Sequence, residues 1–139
     1  MTVEPRWLKV SDILPIHEQL LNEFGGRVGV RDSGLLESAL GSPKNHFAYG
    51  ERDLFGLAAA HAYALTRNHP FVDGNKRVAF MAAYVFLGVN GHDFQAMEED
   101  VVRTMLLLAE RKLSERELAE WLRASSVSRE RKKRRKKKR

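Results

Sequence analysis

Apolar residues recur three and four positions apart along nearly the whole chain of 139 residues. That spacing is typical of amphipathic helices, whereas a half-buried strand would show strict alternation of apolar and polar residues. No sustained alternation of that kind is present in the sequence. The pattern therefore predicts an all-α fold, built as a compact bundle of about six helices.

The first predicted helix begins where Ser11 or Asp12 can accept hydrogen bonds from the free N–H groups of a first turn. It ends at Gly25 and Gly26, since glycine commonly terminates helices. Its inward face is predicted to consist of five apolar residues at helical spacing: Ile13, Ile16, Leu20, Leu21 and Phe24.

The second predicted helix is short. It begins at Asp32 or Ser33 and ends at Leu40, because a glycine and a proline follow within three residues. The residues after that proline, 44–52, are predicted to form an irregular connector.

Four further helices are predicted over about residues 53–67, 74–90, 98–112 and 115–124. The first of them is rich in alanine, which suits close packing of helices. Its apolar stripe is predicted to contain Leu54, Leu57, Ala58, His61 and Leu65. The last of the four begins with Ser114 and Glu117, which are spaced as a capping box.

The net charge of +6 belongs to the C-terminus rather than to the body of the chain. Residues 129–139 contain ten basic residues and one acid, so they contribute +9 and leave −3 for the preceding 128 residues. With so little apolar surface to bury, residues 125–139 are predicted to be a disordered basic tail beyond a folded domain of residues 1–124. The tail fits a nucleic-acid or ribosome binder and a solvated appendage equally well.

Composition excludes several classes of protein. The sequence has no cysteine, so it can form neither disulfide bonds nor thiolate metal sites, which is compatible with a reducing cytosol. The N-terminal residues include charged side chains without an apolar core, so no secretory signal is expected. The longest nearly apolar run has 12 residues, 78–89, and falls short of the roughly 20 that span a bilayer. We therefore expect a cytoplasmic protein without a membrane partner.

Candidate chemistry is concentrated in residues 69–77, His-Pro-Phe-Val-Asp-Gly-Asn-Lys-Arg. They form a predicted loop and helix start, where free N–H groups and the helix dipole favour a bound phosphate. Gly74 lets an anion approach the backbone, and Asn75, Lys76 and Arg77 add an amide and two cations. Because cations oppose the dipole at a helix start, their presence there indicates a site for a polyanion.

The residues before this glycine supply further chemistry. Asp73 offers hard oxygen ligands beside the phosphates, as Mg²⁺ requires. His69 is suited to taking a proton from an attacking hydroxyl near neutral pH. Pro70 and Phe71 are expected to stiffen and anchor the loop that carries this imidazole. The segment thus combines a base, a metal ligand and a phosphate clamp.

This segment resembles the signature of the Fic/Doc family, His-Pro-Phe-x-Asp/Glu-Gly-Asn-Gly-Arg-x-x-Arg, which lies on a loop and helix of an all-α fold. The chain departs from it at Lys76, where most Fic proteins have the second glycine, and at Phe80, where they have the second arginine. Both departures resemble the Doc branch, the death-on-curing toxins. Gly25-Gly26 and residues 30–40 are also similar to that branch, so the resemblance covers about residues 8–124.

The resemblance implies an enzyme that uses ATP and Mg²⁺ to modify a protein hydroxyl. His69 would be the general base, and Lys76 and Arg77 would act beside it on the transferring group. Asp73 would be the Mg²⁺ ligand. The predicted nucleotide-binding residues are Asp73, Gly74, Asn75, Lys76 and Arg77.

The Doc branch binds ATP in a reversed orientation and transfers its terminal phosphate to a threonine of elongation factor Tu, which arrests translation. The resemblance therefore implies a protein kinase with elongation factor Tu as the leading substrate and a small antitoxin protein as partner. Fic proteins with the second glycine instead transfer AMP, so a Fic-type AMP transferase is the alternative. A second alternative is a nucleic-acid or ribosome-binding protein that acts through the basic tail.

The other histidines have no such surroundings in the sequence. His61 is predicted to be a packed residue on a helix face, and His46 to lie in a surface loop or a substrate-docking flap. His17 and His92 are expected to face solvent or to support site residues from behind.

Overall fold

The computed structural model of the protein describes residues 3–130. Within this range the chain forms six helices and one pair of three-residue strands, which confirms the predicted all-α class. In chain order the elements are α1 (Val10–Phe24), α2 (Ser33–Ala48), α3 (Leu54–Asn68), α4 (Asn75–Val89), β1 (His92–Phe94), α5 (Glu98–Ala109), α6 (Glu115–Ala124) and β2 (Ser126–Ser128).

Helices α3 and α4 form the centre of the bundle. Along α3 most side chains are buried, and its alanines allow α2, α4 and α6 to pack closely around it. Asp53 accepts a hydrogen bond from the Phe55 N–H and so caps α3, at the position where this helix was predicted to begin. The predicted capping box at Ser114 and Glu117 is also present at the start of α6.

Helix α1 begins earlier than predicted. Lys9 is its cap, and Asp12 lies inside the first turn, where its carboxylate accepts a hydrogen bond from the Lys9 N–H. The prediction that Phe24 faces the core is wrong, since its side chain is 46% exposed. His17 is buried on the inward face instead, because its ring packs against the loop between α3 and α4.

Helix α2 continues past the predicted end at Leu40, through Gly41 and Pro43, to Ala48. A proline inside a helix removes one backbone hydrogen bond. That loss is offset here because Pro43 is buried with Leu40 and other apolar side chains of α2 against the core. The predicted irregular connector at residues 44–52 is therefore half helix, and the chain between α2 and α3 is shorter than expected.

The prediction of disorder from residue 125 is wrong for residues 126–128, which form β2 and pair antiparallel with β1. Arg129 continues this contact, because its N–H donates to the Gly91 carbonyl and its side chain lies 3.2 Å from the Asp93 carboxylate. Strands of three residues are too short to show a period of two in the sequence. The predicted disorder of residues 131–139 lies outside the described residues.

No helix in residues 3–130 is both long enough and apolar enough to cross a membrane. The apolar run at residues 78–89 belongs to α4, where Val78, Ala79, Ala82, Ala83, Phe86 and Leu87 are buried in the core.

Candidate active site

The loop between α3 and α4 begins at His69, which has the left-handed backbone conformation φ 51°, ψ 54°. Its N–H still donates to the Leu65 carbonyl, 3.1 Å away, so the residue closes the last turn of α3. A residue other than glycine at such a φ is uncommon and stores strain of about 1–3 kcal/mol. The turn directs the chain away from α3 and leaves His69 exposed at the surface.

Arg31, which lies two residues before α2, fixes this turn. Its guanidinium donates to the carbonyl oxygens of His69 and Asn68, at 2.8 and 2.9 Å. The Asn68 amide in turn donates to the Leu35 carbonyl at 2.9 Å. This role of Arg31 could not be predicted from local patterns, because Arg31 and His69 are 38 positions apart in the chain.

The segment between α1 and α2 also lies along the loop between α3 and α4. Val30 and Phe71 form an isolated antiparallel bridge. On either side of it the Arg31 N–H donates to the Pro70 carbonyl at 2.7 Å and the Val72 N–H donates to the Gly29 carbonyl at 3.0 Å. The loop is therefore fixed by backbone hydrogen bonds to a neighbouring segment as well as by its two helices.

Phe71 anchors the loop, as the sequence predicted, since its side chain is fully buried. The ring of His17, on α1, stacks on it with the ring centres 3.9 Å apart and the planes inclined by 16°. His17 also donates from Nε2 to the Asp73 carbonyl at 2.9 Å, because a carbonyl oxygen can only accept. His17 thus supports the loop from beneath, which was one of the two expectations for it.

Asn75, the first residue of α4, is buried, with 4% of its surface exposed. Its amide oxygen accepts a hydrogen bond from the Phe71 N–H at 3.0 Å, and its Nδ2 donates to the Phe71 carbonyl at 2.9 Å. Nδ2 also lies 3.1 Å from Nδ1 of His69. These contacts occupy both N–H bonds of the amide, so the side chain organises the loop and the backbone N–H is the group it offers to an anion.

Asp73 is held as a carboxylate. Hydrogen bonds from the Arg27 and Gly74 N–H groups to its two oxygens lower the pKa of Asp73, and the charges of Arg27 and Arg77 act in the same direction. Gly26 makes this position possible, because a Cβ atom there would lie 3.0 Å from the nearer carboxylate oxygen and 2.9 Å from Leu21. The carboxylate therefore faces a local surplus of positive charge.

The start of α4 forms a second part of the site. Gly74 caps the helix in a left-handed conformation, and the N–H groups of the three residues that follow have no carbonyl of their own helix to bond. The side chains of Lys76 and Arg77 are exposed in this first turn. The Arg77 guanidinium lies over the ring of Phe24, 4.4 Å from its centre.

Asp73 is the residue of this loop that could take part in holding a Mg²⁺ ion. In residues 3–130 no group of three or more His, Asp or Glu side chains is placed to hold a metal ion. Asp73 alone supplies an ionised carboxylate, and each of its oxygens keeps a lone pair beside the hydrogen bond that it accepts. Mg²⁺ commonly binds one or two carboxylates together with phosphate oxygens and water.

The remaining histidines lie away from the loop. His61 is fully buried against Phe86, as the sequence predicted, and burial lowers its pKa to about 4. His46 is not in a loop but in α2, where Nδ1 lies 2.8 Å from the Ser42 carbonyl and Nε2 lies 3.3 Å from Glu115. His92 packs edge-on against Phe55.

Phe80, which stands where the second arginine of the Fic/Doc signature would lie, packs with Phe94 at 5.4 Å between ring centres. Its side chain is partly buried against the core, and a phenyl ring has no charge with which to bind a nucleotide. The cations of this helix are therefore confined to its first turn.

Comparison with known proteins supports one family. The model of the Fic/DOC family matches residues 7–87. A protein named Toxin Doc from Mycolicibacterium smegmatis (strain ATCC 700084 / mc(2)155) is 44% identical over 90 residues, which cover 63% of this chain and 68% of the relative. A protein named Protein kinase doc from Escherichia phage P1 is 34% identical over 87 residues, which cover 62% of this chain and 69% of the relative.

Proposed function

The chain belongs to the Fic/DOC family, and on that premise we propose that it is a Doc-like toxin that acts as a protein kinase. It transfers the terminal phosphoryl group of ATP to a threonine or serine hydroxyl of another protein. Elongation factor Tu is the leading candidate substrate, and its modification would arrest translation. The names of the two relatives, one a toxin and one a protein kinase, support this assignment.

The observation that carries the proposal is the junction of α3 and α4. An exposed imidazole, a carboxylate held ionised and an open helix start with two cations follow each other within nine residues, 69–77. Phosphoryl transfer needs little covalent chemistry from a protein, so positioning and charge stabilisation supply most of the rate. This junction offers both.

In the proposed reaction the triphosphate lies against the first turn of α4. The backbone N–H groups and the positive end of the helix dipole bind its oxygens, and Lys76 and Arg77 neutralise the charge on the transferring group. His69 receives the proton of the attacking hydroxyl. Asp73 would hold the Mg²⁺ ion, which when bound screens the charge between neighbouring phosphates.

Lys76 favours transfer of the terminal phosphate over transfer of AMP. A glycine at this position would leave the backbone of the helix start open for phosphates to approach closely. The lysine side chain occupies that space and adds a point charge. The triphosphate is therefore expected to bind in the reversed orientation, with its terminal phosphoryl group towards His69.

The test is to incubate the purified protein with elongation factor Tu, Mg²⁺ and ATP labelled at either the α or the γ phosphorus. We expect label on a threonine or serine from the γ position and none from the α position. Lys76→Gly should abolish the transfer, whereas Lys44→Gly, which removes an exposed lysine of α2, should preserve it. Label from the α position in the unmodified protein would replace the kinase with an AMP transferase.

A small antitoxin is the proposed partner, because toxins of this kind act in toxin–antitoxin pairs. A short reading frame beside the gene of this protein, whose product binds the chain and suppresses transfer, would support it. Binding of nucleic acid or ribosomes through the basic tail remains a separate prediction. Removal of residues 131–139, which keeps Arg129 and its contacts with Gly91 and Asp93, should leave the ATP chemistry unchanged if the tail serves only that purpose.

A further inference from the structure

The orientation of the Asn75 amide follows from the backbone of Phe71. The amide oxygen accepts from the Phe71 N–H at 3.0 Å, and Nδ2 donates to the Phe71 carbonyl at 2.9 Å. If the amide were rotated by 180°, its NH2 group would face the Phe71 N–H, which is also a donor, and its oxygen would face the Phe71 carbonyl, which is also an acceptor. Because both hydrogen bonds are buried, water could not replace the amide as the partner of either Phe71 backbone group.

The second N–H of Asn75 therefore points at the ring of His69. Nδ2 of Asn75 lies 3.1 Å from Nδ1 of His69. A hydrogen bond between these two nitrogens requires a lone pair on Nδ1, because the amide nitrogen can only donate. In a neutral imidazole whose Nδ1 is the acceptor, the proton is on Nε2.

We propose that Asn75 is a positioning residue that holds His69 in the tautomer with its proton on Nε2. The inference rests on the proposed function only in taking His69 as the reactive group. The opposite tautomer would place Nδ1–H against an amide N–H, so Asn75 disfavours it. The neutral ring thus presents a hydrogen-bond donor at its exposed edge, and its lone pair is covered by Asn75.

This arrangement is the reverse of a catalytic triad, in which a carboxylate accepts from Nδ1–H and leaves the lone pair of Nε2 free as a base. Here the resting ring can take up a hydroxyl proton at Nε2 only after the proton on Nε2 has left and Nδ1 has been protonated. That exchange breaks the hydrogen bond from Asn75. Asn75 therefore sets how readily His69 reaches its basic form.

The chain contains a matched control for this contact. The side chain of Asn90, at the other end of α4, accepts from the Arg6 N–H at 2.9 Å and donates to the Arg6 carbonyl at 3.1 Å. Its remaining N–H donates to the Phe86 carbonyl at 2.8 Å. Asn90 thus pairs with a backbone as Asn75 does, but its third hydrogen bond reaches no imidazole.

The experiment is nitrogen NMR of the imidazole rings in the full chain without nucleotide, at a pH well above 7. Loss of its signals in His69→Gln identifies the ring of His69. The unmodified protein should show a protonated Nε2, an unprotonated Nδ1 and a scalar coupling across the bond between Asn75 and His69. Asn75→Asp should invert the two nitrogens, because a carboxylate accepts from Nδ1–H, and Asn90→Asp should leave them as they are.

A protonated Nδ1 in the unmodified protein would overturn the proposal, and so would an Asn75→Asp variant that is folded and keeps the proton on Nε2. If Asn75→Asp fails to fold, the spectrum of the unmodified protein still decides, since it requires no substitution. The measurement involves neither ATP nor a protein substrate. A failure to detect phosphoryl transfer would therefore leave the tautomer result standing on its own.

Discussion

Helix α4 has an asparagine at each end, and the two side chains make nearly the same contacts. Asn75 pairs with both backbone groups of Phe71, and Asn90 pairs with both backbone groups of Arg6. The difference lies in the third hydrogen bond of each amide. At the C-terminal end it stays within α4, at the Phe86 carbonyl, whereas at the N-terminal end it reaches the ring of His69.

An asparagine that pairs with a backbone can thus serve different purposes, depending on which groups of the fold lie beside it. The N-terminal end of α4 has free N–H groups, two exposed cations, an ionised carboxylate and an imidazole. The C-terminal end leads into β1, which pairs antiparallel with β2. Substitutions at the N-terminal end should accordingly lower the transfer rate, and those at the C-terminal end should leave it unchanged.

The largest difference in transfer rate is expected between substitutions of the histidines near the two ends of α4. His69→Ala should lower the transfer rate by about 10²- to 10⁴-fold, the usual contribution of a general base, which corresponds to roughly 3–5 kcal/mol of barrier. His92→Ala, beyond the C-terminal end, should keep the rate while losing its packing on Phe55. Rates from initial velocities at saturating ATP decide the matter. Equal rates for the two variants would remove His69 from catalysis.

Acid should destabilise the protein through His61, which packs against Phe86 in the body of the bundle. Burial lowers the pKa of His61 from 6.5 to about 4, so between these values the unfolded chain binds the extra proton and the folded chain does not. The stabilisation is complete above about pH 6.5 and falls by roughly 3 kcal/mol as the pH drops to about 4.

Urea unfolding at pH 7 and at pH 4.5 measures this loss. His61→Leu should flatten the pH dependence of the free energy of unfolding, while His92→Leu should leave it steep. Equal slopes for the unmodified protein and His61→Leu would show that other groups cause the acid sensitivity.

Alanine substitutions of the two asparagines should differ in how much they lower the stability of the protein. Asn75→Ala leaves the buried backbone groups of Phe71 without partners and should lower the free energy of unfolding by about 1–3 kcal/mol. Asn90→Ala should lower it by about 0.5–1.5 kcal/mol, since water can replace the amide at the exposed Arg6. Thermal or urea unfolding gives both values. A larger loss of unfolding free energy for Asn90→Ala than for Asn75→Ala would contradict the order expected from burial.

A smaller effect is expected from two glycines with similar backbone conformations. Gly26 has φ 125° and lies against Asp73, whereas Gly50 has φ 112° and has nothing within 4 Å of its added Cβ. Alanine strains the backbone at both positions, but at Gly26 it also displaces Leu21 or the Asp73 carboxylate, for about 1 kcal/mol more. Gly26→Ala should in addition raise the Mg²⁺ concentration needed for transfer. A Mg²⁺ response equal to that of Gly50→Ala would contradict this.

The run of candidate site residues and the four later helices could be predicted because their determinants are local. The start of α4 at Gly74, the cap at Asp53 and the capping box at the start of α6 each depend on residues within one turn. The residues from His69 to Arg77 likewise form one continuous run. Local spacing and residue type were sufficient for these features.

Features that depend on distant contacts could not be predicted. The continuation of α2 past Gly41 depends on burial of Pro43 beside Leu40, and β2 depends on pairing with β1 far earlier in the chain. The hydrogen bond from Arg31 to the His69 carbonyl likewise joins residues that are far apart in the sequence. Phe24 has the spacing of a core residue, but it lies in the last turn of α1, where Arg77 covers it.

Where a nucleotide binds along α4 can be read from the backbone amide signals of the isotope-labelled protein during titration with ATP and Mg²⁺. If the triphosphate lies at the N-terminal end, the amides of Gly74, Asn75, Lys76 and Arg77 should show the largest shifts, and those around Asn90 should stay in place. Asp73→Asn should weaken these shifts when Mg²⁺ is present and change them little without it. Saturating shifts centred on another part of the chain, with the amides at the start of α4 unmoved, would contradict an active site at this helix end.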